Sequence, residues 1–256
     1  MEQRRDAENG HPHPPPNMLR VSRGRDERSP PAMKWFALTF ALLACVARAE
    51  PISPLDVDLE LVLCVDTSDS IDSSEFALQR QGIALAFQSE EIIDAIERGA
   101  LGRIAVSLVD FSDDASVRIP FVIISDRKSA RRFATMVLGS NREKNGNTSI
   151  SAGIWTSVRD LDAAPYLATR RVIDVSGDGA NNRDWPEFGI SMETAVALAK
   201  KGHITINGLP IESDELDVAQ FYQKSVLTGR GAFMVVAQDV ADFSRAMKHK
   251  LILEVS

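Results

Sequence analysis

The chain has 256 residues, 44% of them hydrophobic and 25% charged, with a formal net charge of −7. From residue 50 onward, 21 Lys and Arg stand against 31 Asp and Glu, a net of −10, and only Cys64 remains. Such an acidic stretch is a poor match for nucleic acid, and one cysteine excludes an internal disulfide.

In chain order, residues 1–32 are polar and rich in Pro and Arg, a composition that stays disordered for want of anything to bury. Met33-Lys34-Trp35, the apolar run Phe36 to Val46, and Ala47-Arg48-Ala49 then form a secretory signal: one cation, a short apolar core, small residues at −3 and −1. Cleavage is expected after Ala49, with translation starting at Met33 and the mature product periplasmic or secreted. The apolar run falls short of the roughly 20 residues a membrane span needs, so no transmembrane segment is expected in the mature chain. An alternative reading acylates Cys45, after Leu42-Leu43-Ala44, but Ala-x-Ala is the better cleavage site.

Residues 50–256 are expected to be one domain. Leu59–Val65 is a continuous apolar run, as in a strand buried on both faces of a parallel sheet. Helical spacing follows over Ser74–Phe87. Arg103–Phe111 and Val117–Ile124 read as strands, close enough to pair antiparallel. Asp126–Leu138 and Ser149–Asp160 read as helices, with Arg127, Lys128, Arg131 and Arg132 on a solvated face. Arg171–Ser176 is the next strand, Ser191–Lys201 a helix and His203–Leu209 a strand. Leu216–Val226 reads as helix, Ala232–Val236 as strand, and Asp239–Glu254 as the closing helix. This alternation predicts an α/β fold: a doubly wound, mostly parallel sheet with helices on both faces and one antiparallel edge strand. Ligands in such folds sit at the carboxyl ends of the strands. Cys64, mid-strand, is expected to be an inert core thiol.

The first strand runs into Asp66-Thr67-Ser68-Asp69-Ser70. A carboxylate and two hydroxyls at alternate positions on a tight loop can converge on one point, and all are hard oxygen donors suited to Mg²⁺ or Mn²⁺. The competing reading is a polar loop in which Ser70 or Asp72 caps the next helix. Gly146-Asn147-Thr148-Ser149 places the Thr148 hydroxyl just before a helix, by itself an N-cap signal. Ser176-Gly177-Asp178-Gly179 places a carboxylate directly after a buried strand, between glycines that let the backbone come close to whatever Asp178 holds.

In this order the three segments resemble the metal-ion-dependent adhesion site of von Willebrand factor type A domains. The resemblance covers about residues 58–254 and implies Asp66, Ser68, Ser70, Thr148 and Asp178 as ligands of one divalent cation. Mg²⁺ is expected, with Mn²⁺ or Ca²⁺ as alternatives. The stretches EFALQRQG, SGDGANNR, TINGLPI and KLILEV further resemble a bacterial family of exported type A-like proteins with no assigned function. That family usually has Gly where this chain has Asp69, a residue that tolerates a left-handed backbone.

The resemblance implies a cation-dependent module that captures a protein or other acidic ligand. A rival reading is a haloacid dehalogenase-type phosphohydrolase, with Asp66 as nucleophile and Gly177-Asp178-Gly179-Ala180-Asn181-Asn182 on magnesium. It lacks the acid/base Asp two residues after the nucleophile, where Ser68 stands. A third reading is a scaffold that recruits partners without metal. His203 and His249 are too scattered for a His-based triad or zinc site. Trp185 is expected to be a loop anchor rather than a ligand contact.

Overall fold

The computed structural model describes residues 55–142, 146–185, 189–212 and 217–256. The expected leader at 33–49 and the segment before it lie outside these residues. The elements run β1 (Leu55–Asp66), α1 (Ser73–Phe87), α2 (Glu90–Glu97), β2 (Ile104–Phe111), β3 (Ala115–Ile124), α3 (Arg127–Leu138), α4 (Ile150–Ala163), β4 (Tyr166–Gly177), α5 (Met192–Lys201), β5 (Thr205–Pro210), α6 (Val218–Phe221), a π turn (Tyr222–Val226) and α7 (Phe243–Val255).

The strands form one sheet in the order β3-β2-β1-β4-β5. β1 pairs parallel with β2 and β4, and β4 with β5, while β3 runs antiparallel to β2 at the edge. The expected α/β architecture is therefore what the chain adopts. Alternation along β1 divides the core in two. Leu59, Leu61, Leu63 and Val65 pack with α1, α2, α3 and α7, whereas Val62 and Cys64 pack with α4, α5 and the π turn. Helices thus cover both faces, which is why β1 reads as an unbroken apolar run. Cys64 is fully buried, and burial pushes its thiol well above the usual range.

From central β1 the chain crosses to β2 on one side and later to β4 on the other. That reversal leaves a crevice at the carboxyl end of β1. Register places Asp66 beside Phe111 and Val65 beside Ser176 at that edge. The loops after β1, β2 and β4 therefore leave the sheet together.

Three expectations need correction. α2 was not anticipated; its Ile92, Ile93 and Ile96 complete the core under α7. Residues 232–236 do not form a strand: they meet β5 only in isolated bridges, and the Phe233 N–H donates to the Asn207 side chain, which breaks the ladder. The expected helix at 216–226 resolves into one α turn and a π turn, the Leu227 N–H reaching back to the Tyr222 carbonyl. Residue 216 lies outside the described residues.

Candidate functional site

Two caps decide which hydroxyls are free. The Asp72 carboxylate accepts from the Ser74 and Glu75 amides at 2.7 and 2.9 Å, and Glu75 accepts the Asp72 amide at 2.8 Å. This capping box starts α1, so Ser70 is not needed as a cap. Ser149 caps α4 by accepting from the Ala152 amide, leaving the Thr148 hydroxyl outside the helix.

The freed groups meet. Thr148 donates its hydroxyl to Ser68 Oγ at 3.2 Å, and the Ser68 and Ser70 hydroxyls share a bond of 3.1 Å. Ser70 in turn donates to Asp178 Oδ1 at 2.8 Å. Asp66 closes the group: its Oδ1 accepts the Ser68 amide at 2.8 Å, and its Oδ2 is buried without a hydrogen-bond partner. All five residues singled out from the sequence thus belong to one cluster of oxygens drawn from three loops.

Depth varies across the cluster. Asp66, Ser68 and Thr148 are buried, Asp178 is half-buried, and Ser70 is exposed. Burial pushes the Asp66 carboxyl up to about 7; hydrogen bonds from Ser68 oppose this, the Asp178 charge adds to it, and Arg142 lowers it. A buried carboxylate with an unpartnered oxygen is an expensive group to keep ionised. Asp69 is exposed, donates its amide to the Gly146 carbonyl at 2.8 Å, and is not left-handed; His203 alone among the described non-glycine residues has positive φ.

A second layer holds the loops in register. Asn182 donates its amide to the Thr148 carbonyl at 3.0 Å and accepts the Thr148 amide on its side chain at 2.9 Å. Asn181 accepts the Ser151 amide at 3.1 Å and donates to Asp184 at 3.0 Å. Asp113, in the loop after β2, accepts the Asn147 amide at 3.0 Å, its side chain at 2.7 Å and Arg183 at 3.0 Å. Arg142 donates to the Ser68 and Ile71 carbonyls, tying down the first loop. In the sequence the two asparagines stand out only within the stretch Gly177 to Asn182, and Asp113 and Arg142 do not stand out at all. An acidic residue in a Ser-Asp-Asp-Ala turn carries no signal of which loops it will join.

Gly177 has a steric reason to be glycine. A Cβ there would lie 2.7 Å from Asp66 Oδ2 and 3.1 Å from the Tyr222 hydroxyl. Trp185 is 6% exposed and stacks edge-to-face on Trp155 at 5.2 Å, the anchor expected of it. His203 precedes β5 and His249 lies exposed on α7. Among the described residues no three His, Cys, Asp or Glu side chains gather as a metal site. A cation at this cluster would therefore rest on two carboxylates and three hydroxyls, which suits a hard ion.

Comparisons with known proteins place this geometry in context. The chain belongs to the family described as protein of unknown function (DUF1194), whose model matches residues 56–256. No curated protein matches it. Its fold is that of von Willebrand factor type A domains. Proximal thread matrix protein 1 from the mussel byssus, in a form with a zinc-occupied MIDAS motif, superposes with a TM-score of 0.56 at 16% identity, over 80% of this chain and 47% of that one. The chain thus spans about half the length of that protein. A von Willebrand factor type A protein from Catenulispora acidiphila gives 0.53 at 16% identity, over 77% and 42%. The corresponding domain of the type V pili tip protein Mfa5 from Porphyromonas gingivalis gives 0.52 at 11% identity, over 78% and 97%.

Proposed function

We propose that the chain is a binding module that captures an acidic ligand, most simply a carboxylate of a protein partner, through one divalent cation held by Asp66, Ser68, Ser70, Thr148 and Asp178. The observation that carries this reading is Asp66 Oδ2: a buried carboxylate oxygen without a partner, in a cluster made wholly of hard oxygen donors. A cation removes the cost of that arrangement. The residues fit Mg²⁺, and the mussel byssus protein with zinc in its MIDAS motif supports a divalent ion on this fold. When bound, such an ion supplies a Lewis-acidic position that an anionic oxygen can fill.

The protein's own groups argue for capture over turnover. A hydrolase needs a proton donor or acceptor beside the reacting atoms, with pKa near the working pH. Ser68 stands where a phosphohydrolase of haloacid dehalogenase type needs its second Asp, and Arg142 is committed to backbone carbonyls. Asp178 is engaged by Ser70, and neither histidine of the described residues lies in the cluster. The Asn181, Asn182 and Asp113 contacts hold loops in place and have no proton to give.

The module is proposed to act after export, with residues 33–49 removed as a leader and 50–256 forming the domain. Among the described residues no helix is long and apolar enough to cross a membrane. Titration calorimetry of the mature protein with Mg²⁺, Mn²⁺, Ca²⁺ and Zn²⁺ tests the site, together with melting temperature in the presence of each. Absence of both heat and thermal shift with all four would refute it. Capture is tested by pull-down from periplasmic extract in Mg²⁺ against EDTA, with a phosphatase screen on the same sample. Phosphatase activity lost in Asp66→Asn would restore the enzymatic reading.

A further inference from the structure

Behind the cluster lies a second unpartnered buried atom, the hydroxyl of Tyr222 on the π turn. Two glycines on neighbouring strands make its slot. A Cβ on Gly208 of β5 would lie 2.8 Å from Tyr222 Cδ1, and a Cβ on Gly177 of β4 would lie 3.1 Å from its hydroxyl and 2.7 Å from Asp66 Oδ2. The ring therefore passes over Gly208 and carries its hydroxyl to the same glycine, Gly177, that Asp66 Oδ2 approaches. A phenol that can donate and a carboxylate oxygen that can accept are buried beside the same glycine, neither with a hydrogen-bond partner among the protein atoms. Leaving the hydroxyl unsatisfied in a dry space is costly, and one water between it and Oδ2 would satisfy it on one lone pair of that oxygen, leaving the other for a cation.

We infer that Tyr222 is a positioning residue of the cation site, holding the Asp66 carboxylate from behind, so that cation binding and the π turn are coupled. This rests on the cation reading above. π turns are uncommon and tend to mark functional sites, and this one has a visible use. The extra residue in the turn sets Tyr222 inward while Phe221, Lys224 and Ser225 face a groove of about 510 Å³, shared with Asn181 and Asp184 of the Asp178 loop. Whatever fixes Tyr222 also fixes one wall of that groove.

Tyr222→Phe is the test, because it keeps the ring and removes only the hydroxyl. Calorimetry with Mg²⁺ should show affinity reduced about tenfold, the usual scale for a group that orients a metal ligand. Without Mg²⁺ the variant should melt close to the wild type, since no direct protein hydrogen bond is lost with the hydroxyl. Hydrogen exchange of the Leu227 amide, which bonds to the Tyr222 carbonyl, should slow on adding Mg²⁺ in the wild type and not in the variant. An unchanged Mg²⁺ affinity in Tyr222→Phe overturns the inference while leaving the cation site standing. A lower melting temperature with unchanged affinity would make Tyr222 merely structural. If the wild type binds no cation, the underlying reading fails first, and the two failures are separable.

Discussion

Replacing Asp66 by Asn tests the energetic premise of the site, that its carboxylate is held at a cost until a cation arrives. Asp66 is fully buried, and its carboxyl is pushed from an ordinary 3.8 up to about 7, chiefly by burial. A carboxyl raised in the folded state stabilises below its unfolded value, and that contribution is lost as pH rises through about 7. The rise of about three pH units, at about 1.4 kcal/mol each, gives about 4 kcal/mol of strain at pH 8 in the metal-free protein. Asn removes the charge, keeps an oxygen for the Ser68 amide, and places an amide donor beside the Tyr222 hydroxyl. Urea denaturation in EDTA should therefore find Asp66→Asn more stable than the wild type by up to about 4 kcal/mol at pH 8, with the gap closing toward pH 4. Saturating Mg²⁺ should reverse the order, because only the wild type is stabilised by binding. A gap that does not vary with pH, or a variant less stable than the wild type at pH 8 without metal, would refute the reasoning.

Three further outcomes follow from the same contacts. Because a cation must displace the Asp66 proton, Mg²⁺ affinity should fall about tenfold per pH unit below about 7 and level off above it, measured by calorimetry at pH 6, 7 and 8. Asp113→Ala should leave the fold intact and weaken Mg²⁺ binding about tenfold, since Asp113 anchors Asn147 and Arg183 beside Thr148 and Asp178 without touching either; unchanged affinity would deny it that role. Lys250→Met should cost about 3–5 kcal/mol at neutral pH in urea denaturation, because it strands Asp174 and leaves Glu254 to Asn207 and Arg170 alone, where the buried ammonium holds the two carboxylates at 2.6 and 2.8 Å. Burial pushes Asp174 upward and Lys250 pulls it back, so acidification should narrow that loss as the stranded Asp174 takes up a proton; a cost under about 1 kcal/mol would show the network to be incidental.

Much of this was written in residues that answer to local rules. Leu59 to Val65 announced a strand covered on both sides because a central parallel strand has no polar face to show. Asp66, Ser68 and Ser70 stood out because their alternate spacing survives on a tight loop whatever surrounds it. Asp72 was legible as cap chemistry, which is set within four residues, whereas the cap of α4 fell on Ser149, one residue past the expected Thr148. What escaped the sequence depends on partners far along the chain. The ladder at 232–236 fails because the Asn207 side chain claims the Phe233 amide, a bond across 26 residues. Ile92, Ile93 and Ile96 make a helix of only eight residues, too short for its periodicity to show against the loop around it. Tyr222 is the clearest case: nothing in Phe221-Tyr222-Gln223 hints that two glycines, 14 and 45 residues upstream, have left room for its ring.

The charge of the proposed site also bears on what it can hold. Two carboxylates, Asp66 and Asp178, neutralise a divalent cation, and the remaining donors are neutral hydroxyls. A third carboxylate in contact would leave the loaded site negative and repel an anionic oxygen from the ligand. Among the described residues, Asp69 is the acidic neighbour of these ligands within their own loop. Its exposure to solvent and the tie of its amide to Gly146 keep its backbone in the loop while its side chain remains in water, where its field is screened. The hydroxyl chain from Thr148 through Ser68 and Ser70 to Asp178 has the complementary role. It satisfies these groups among themselves before any ion arrives, so that Asp66 Oδ2 is the buried oxygen of the cluster left without a direct protein hydrogen bond. An arrangement of this kind favours an ion that hydroxyl oxygens can share, and it leaves that ion electrophilic enough to accept one more anionic oxygen from outside.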